Sequence, residues 1–237
     1  MRTATTRKPG SDAGRRPSRV RDPGSTREAL LTAAADLFAE RGYDGVRVWA
    51  IAERAGVNKA MISYHFGGKR KLYLTILGAT FAEILSRVEA LAEAPRPAPE
   101  VLRDLIAAMA DVGERRHVFG MMLREALAGG KQLERGVLDK PLRVLAAVRR
   151  ILERGVADGA FRPVDPLLTH LSLVGSLAFF FATAHFRERL LADSDLGIES
   201  PDGAAYVRHL QDLITHGLAA DSAPIPTRHR ERRRTGR

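Results

Sequence analysis

A run of twenty-five residues, Val48 to Leu72, limits the fold of this chain more than any other part of it. It reads V-W-A-I-A-E-R-A-G-V-N-K-A-M-I-S-Y-H-F-G-G-K-R-K-L, and its apolar positions describe two short helices joined by a glycine turn. Val48, Ile51, Ala52 and Ala55 share one face of the first helix, Gly56 takes the turn, and Val57 and Ile62 return to the same core. Asn58 is placed to cap the second helix by accepting a hydrogen bond from an orphan N–H. Lys59, Ala60, Ser63 and Tyr64 are left on the outer face. Small side chains there allow close approach to base edges, while a lysine and a phenol reach bases or phosphates. A short polar helix held by a small-residue turn is how a helix-turn-helix presents itself to the major groove.

The flanks extend the pattern. Ser25-Thr26-Arg27-Glu28 reads as a capping box, and Leu30, Ala33, Ala34, Leu37 and Phe38 then follow at helical spacing until Gly42. One helix therefore precedes the pair. Taken together, L-x-A-A-x-x-L-F-A-E-R-G-Y, then I-A-E-R-A-G-V, then Y-H-F-G-G-K-x-x-L-Y resemble the DNA-binding domain of the TetR family of transcriptional regulators, from about Thr26 to Leu77. The resemblance implies that Lys59, Ala60, Ser63 and Tyr64 face the groove and that Lys69 clamps a phosphate at the start of the fourth helix. Lys69 has separate physical support, because free N–H groups at a helix N-terminus already form an anion site.

Two positions depart from the family pattern, which has a hydroxyl residue at the start of the second helix and a basic residue after the first buried aliphatic. Arg47 and Trp49 stand there instead. Arg47 is expected to find a phosphate, with the cap lost unless a neighbour supplies it. Trp49 lies along the sugar-phosphate wall, against a thymine methyl, or over a neighbouring helix. Ser63 replaces the usual tyrosine before Y-H-F, so no operator sequence can be transferred. Phe66 is expected to pack inside, and His65 either packs or donates to a phosphate.

The net charge of +10 suggests a nucleic-acid partner until it is located. Residues 1–24 hold seven basic and two acidic side chains and residues 221–237 six and two, leaving 25 against 24 between them. Both tails are rich in Arg, Pro, Gly, Ser and Thr with almost no large apolar residue, so they are expected to be disordered arms that add salt-sensitive attraction to DNA, or to be silent solvated tails. Residues 25–72, the expected DNA-binding domain, hold eight basic and five acidic groups, whereas 73–220 hold 17 and 19. The basic end of the folded part is thus the helix-turn-helix end. The chain has no cysteine, which excludes disulfides, thiolate catalysis and Cys-based zinc sites and fits a reducing cytoplasm.

Residues 73–220 read as an all-α effector-binding and dimerisation domain. A long helix should run from Lys69 to about Leu91, burying Leu72, Ile76, Phe81, Ile84, Leu85 and Val88, until Pro95, Pro97 and Pro99 break it. Further helices are expected over Val101–Val112, Phe119–Ala128 and about Leu133–Val156, with Pro141 a kink or boundary. Asp165 should cap an apolar helix reaching about Leu191, and Ala204–Leu218 closes the series. Leu167 to Phe186 nearly has the length of a membrane span, but His170, His185 and several hydroxyl residues argue for a buried helix. A second subunit is the simplest cover for a helix apolar on every side, with Leu171, Val174, Gly175, Ala178, Val207, Leu210 and Ile214 in an isologous four-helix interface, which is also how TetR-like regulators dimerise.

The resemblance places a small-molecule effector pocket among the middle helices, where Phe81, Leu85, Met109, Phe119, Met122, Leu145, Phe179 and Phe180 would line it. Arg115, Arg116 and His117 form a small basic cluster, read as a solvated helix end. No nucleophile elbow, phosphate loop or metal-binding histidine pair is present, so neither catalysis nor a cofactor or metal is expected. The resulting reading is a ligand-responsive repressor, cytoplasmic and homodimeric, on a palindromic operator. The rival is a helical nucleic-acid-binding architectural or recruiting protein with no effector.

Overall fold

The computed structural model describes residues 23–115, 118–192 and 194–220. The expected arms at 1–24 and 221–237 lie outside it except for Pro23 and Gly24, and so do Arg116, His117 and the side chain of Arg115. Ten α-helices make up the described residues: α1 Pro23–Arg41, α2 Val48–Ala55, α3 Ala60–Phe66, α4 Lys69–Ala92, α5 Ala98–Arg115, α6 Val118–Leu127, α7 Arg135–Ala157, α8 Pro166–Ala182, α9 Ala184–Ala192 and α10 Gly203–Leu218. The only strand-like feature among the described residues is an isolated antiparallel bridge between Phe161 and Ala219. It ties the end of α10 to the α7–α8 connector, with the Arg162 N–H donating to the Leu218 carbonyl.

Two apolar cores sit at opposite ends of α4. The first closes Leu30, Ala34, Leu37 and Phe38 of α1 over Ile51, Ile62 and Leu72, each essentially inaccessible. Burying a side chain of this size contributes about 1.5–3 kcal/mol. Phe81 near the middle of α4 belongs to this core, and so do Val118 and Met121 of α6. The second core begins one turn later with Ile84, Leu85 and Val88 and is filled by Val101, Leu102, Leu105 and Ile106 of α5, Val148 and Ile151 of α7, and Leu173 and Leu177 of α8. One helix thus serves both cores.

Two helix termini differ from the sequence reading. Pro23 suits a first helical turn because its missing N–H would have no partner there, so α1 already runs through Ser25 and Glu28 and the capping box is not realised. The apolar helix expected to continue to Leu191 is bent by 59° between α8 and α9. At the joint the Thr183 hydroxyl donates to the Phe179 carbonyl at 2.7 Å, and Arg187 donates to the freed Phe180 carbonyl at 2.8 Å. The Arg187 guanidinium also stacks 3.9 Å from the Phe180 ring centroid. Asp165 caps α8 as expected, accepting from the Leu168 N–H at 2.9 Å. Pro141 lies inside α7, which continues through it. No single helix among the described residues is long and apolar enough to cross a membrane.

Candidate nucleic-acid interface

The turn between α2 and α3 is fixed by backbone geometry. Gly56 has φ of 64°, the left-handed region, and Val57 donates back to the Ala52 carbonyl at 3.0 Å. Asn58 then opens α3, its side-chain oxygen accepting from the Ala60 N–H at 2.9 Å. Ile62 and Phe66 face inward, with the Arg27 guanidinium over the Phe66 ring. Lys59, Ala60, Ser63 and Tyr64 are all exposed on the opposite side, Tyr64 at 76 %. The seven-residue helix therefore presents one polar, small-residue face to solvent while its other face is locked into the core.

Around that face stand the remaining expected contacts. Arg47 precedes α2 in extended backbone and makes no side-chain cap, so the lost hydroxyl is not replaced. Trp49 is 56 % exposed and does not lie buried over a neighbouring helix. His65 is half-buried between Tyr64 and Phe66, its ring centroid 5.0 Å from that of Tyr64. Gly67 and Gly68, with φ of 72° and 126°, carry the chain from α3 into α4 in two residues. The first turn of α4 then holds Lys69, Arg70 and Lys71 and no acid. Cations at the positive end of a helix dipole repel it, and an anion bound there reverses the sign.

Lys69 is held more tightly than the sequence suggests. Its ammonium sits 4.1 Å from the Tyr43 ring centroid, is half-buried, and has a pKa lowered by that burial, with the Asp44 carboxylate opposing the shift. Behind Tyr43 the rings of Phe38 and Tyr73 pack edge to face, 5.0 Å apart. The Tyr73 hydroxyl donates at 3.0 Å to Glu125, an acid only 5 % exposed, whose other oxygen accepts from the Gln132 N–H at 2.8 Å. Burial and the adjacent carboxylate hold the Tyr73 phenol well above the usual tyrosine range. Its neighbour Arg124 donates to the Ala39 and Glu40 carbonyls at the end of α1, at 3.2 and 2.9 Å. These α6 contacts were missed in the sequence reading. The available signal is that Glu125 continues the apolar stripe Val118, Met121 and Met122, where an acid needs a partner.

The eight residues expected to line an effector pocket do not gather around one cavity. Phe81 lies in the first core, and Met122 leans on that core half-buried. Leu85 and Met109 fill the second core, and Leu145 is half-buried on α7. Phe180 is covered by Tyr206, stacked 3.8 Å away. Phe179 is 65 % exposed and cannot wall an internal pocket, because a helix turns about 100° per residue and carries it off the face that buries Phe180. Phe119 alone of the eight lines the open cleft of about 480 Å³ between the two cores, with Phe181, Gly113 and Gly120, under a rim that includes Asp36, Glu40 and Glu114.

The expected pairing face also divides. Leu171 and Gly175 are exposed, but Leu210 and Ala178 are 3 % and 6 % exposed and belong to the second core, with Val174, Val207 and Ile214 leaning on it. A helix apolar all round gives no polarity by which sequence can tell its two faces apart. The outward apolar side is instead Leu167, Leu168, Leu171, Gly175 and Phe179 on α8, joined by Leu213 on α10. No group of three or more acidic, histidine or cysteine side chains suited to a metal ion occurs among the described residues.

An all-α chain whose recognition-type helix is held by a glycine turn, with a basic helix N-terminus beside it, is of the helix-turn-helix DNA-binding class. Residues 30–76 match the family of bacterial regulatory proteins named for TetR, and residues 99–214 match the tetracyclin repressor-like C-terminal domain. The chain is 30% identical to the HTH-type transcriptional repressor NicS of Pseudomonas putida, covering 84% of this chain and 95% of that protein. It is 33% identical to the HTH-type transcriptional regulator RutR of Escherichia coli over 84% of this chain and 93% of the relative. Among solved structures, the TetR family regulator PfmR of Thermus thermophilus superposes with a TM-score of 0.64 at 27% identity, covering 81% of this chain and 96% of that one. The chain belongs to the TetR family of transcriptional regulators and is not an enzyme.

Proposed function

We propose that the protein is a cytoplasmic, ligand-responsive repressor that binds a palindromic operator as a homodimer, one α3 helix in each half-site. The observation that carries this reading is the outer face of α3, where Lys59, Ala60, Ser63 and Tyr64 are exposed together on a helix whose other side is locked into the core. Arg47, Trp49, His65 and Lys69 flank that face and would meet the sugar-phosphate walls. Two copies pair through the outward apolar side of α8 and α10, and the two-fold axis of the pair is matched by an inverted repeat in DNA. The relative NicS, named a repressor, favours repression over activation.

The effector in this reading is an apolar or amphipathic small molecule. The cleft beside Phe119 and Phe181 supports a site for it between the two cores rather than inside the second. A molecule wedged there touches α1 and α6 together and so changes the angle between the DNA-binding head and the body. Selection of bound fragments from sheared genomic DNA, followed by release with a panel of small molecules, tests both halves. Recovered fragments should share an inverted repeat and dissociate with at least one amphipathic compound. Fragments with no common sequence would favour the architectural alternative.

A further inference from the structure

From the packing behind the α4 N-terminus we infer that Tyr43 is a positioning residue for the DNA contact of Lys69: its ring is the seat that holds the lysine ammonium where a backbone phosphate would lie. This rests on the reading of Lys69 as a phosphate contact. A free lysine at a surface samples many rotamers and loses that freedom on meeting a phosphate. Here the side chain is already half-buried, with its nitrogen 4.1 Å from the ring centroid, and it makes no ion pair among the described residues. A cation over an aromatic face is attracted by the ring quadrupole while its N–H donors stay available to an anion on the far side.

The seat is itself fixed. Tyr43 follows the left-handed turn at Gly42 and packs edge to face with Tyr73, centroids 5.1 Å apart, and stacks against Phe38 at 6.0 Å. Tyr73 in turn cannot swing, because its hydroxyl is bonded to the buried Glu125. The carbonyls of Ala39 and Glu40, just before the turn, are held by Arg124 from the same helix. The orientation of one half-buried cation is thus set by side chains from α1, α4 and α6. Nothing in the sequence pairs Tyr43 with Lys69, twenty-six positions apart.

The test uses the full-length protein and a random-sequence duplex, since a phosphate contact does not depend on the operator. Binding is measured as a function of salt for the wild type, Lys69→Ala, Tyr43→Leu, Tyr43→Phe and the Lys69→Ala/Tyr43→Leu double variant. Loss of one phosphate contact lowers the slope of log K against log salt by about 0.9. We expect that loss for Lys69→Ala and for Tyr43→Leu, no further loss in the double variant, and a wild-type slope for Tyr43→Phe, which keeps the ring. A general packing role would weaken binding without changing the slope. Lysine-selective ¹³C labelling gives a second readout that does not depend on a folded Tyr43→Leu protein. One of the six lysines should show side-chain signals shifted upfield by a ring current, and that signal should vanish in Lys69→Arg and persist in Tyr43→Phe. An unchanged slope in a folded Tyr43→Leu protein, or the absence of any upfield lysine signal, would overturn the inference while leaving the DNA-binding reading intact. A wild type that fails to bind duplex at all would remove both.

Discussion

Lys59 and Lys69 carry the same charge ten residues apart, yet their surroundings differ in kind. Lys59 is exposed at the start of α3 beside Ala60, whereas Lys69 is half-buried on an aromatic ring at a helix N-terminus. Lys59→Ala should therefore change which bases are preferred, with about 1–3 kcal/mol of discrimination at the base it reads, while Lys69→Ala should weaken all sequences alike. Parallel binding selections on the two variants decide it, and equal uniform losses would reject base reading by Lys59. Two further residues matter for stability. A Cβ on Gly155 would come 2.1 Å from the ring of Phe161, itself 2 % exposed, so Gly155→Ala should destabilise by about 1–3 kcal/mol in a urea titration despite the better helix propensity of alanine. The His170 imidazole is held below its usual 6.5 by burial, and its Nδ1 has no hydrogen-bond partner among the described residues. The unfolded chain takes up that proton first as pH falls, so His170 favours the fold fully above about 6.5 and progressively less below it. His170→Leu should flatten the loss of stability between neutral and mildly acid pH, and an unchanged pH profile would exclude the residue as a cause. The positions of the α3 face were legible because the helical period, applied over the seven residues of α3, fixes them. Tyr43 under Lys69 and Glu125 under Tyr73 were not, since each pair is joined only by the tertiary fold.

Helix boundaries were read from caps and prolines; three of those signals held, while the capping box at Ser25 to Glu28 was bypassed by the earlier start of α1 at Pro23. Asp165, Gly56 and Asn58 act where expected. The α8–α9 bend escaped because no proline or glycine marks Thr183, and the device that permits it, Arg187 on the Phe180 carbonyl and ring, acts through a side chain four positions past the break. The bend also decides which apolar residues of α8 reach solvent. Phe179 and Leu171 lie outward on α8, whereas Phe180 is folded under Arg187 and Tyr206. Phe179→Glu combined with Leu171→Glu should leave the fold intact, because both side chains are exposed, yet give a monomer that binds an inverted repeat at least tenfold more weakly. Light scattering and circular dichroism check the two halves of that expectation. A pair that still dimerises would move the interface elsewhere. The analogous change at Leu210, 3 % exposed, should instead unfold the chain, which is why the inward and outward faces of these helices had to be told apart by burial and not by hydropathy.

At the scale of the whole chain, charge and core are arranged differently. Of the net charge of +10 the two tails carry +9, and within the folded part the basic excess lies at the helix-turn-helix end. Deleting residues 1–20, with Arg2, Arg7, Lys8, Arg15 and Arg16 among them, should reduce non-specific affinity and its salt dependence more than operator choice. Loss of discrimination at an A·T-rich flank would instead place the arm in the minor groove. The apolar cores divide at a different place from the helix-turn-helix. Val118 and Met121 of α6 complete the core of the DNA-binding end, and Leu133 in the α6–α7 loop and Val137 at the start of α7 pack onto it. A hybrid regulator made by grafting this head onto a foreign sensor at the end of α3, or partway along α4, would leave Ile76, Leu77 and Phe81 facing a surface built for other partners. The graft junction that respects the packing is discontinuous: it takes α1 to α4 together with the α6 segment through Val137, and any transplant that omits the second piece should give a head that is sticky, poorly folded and deaf to its new sensor.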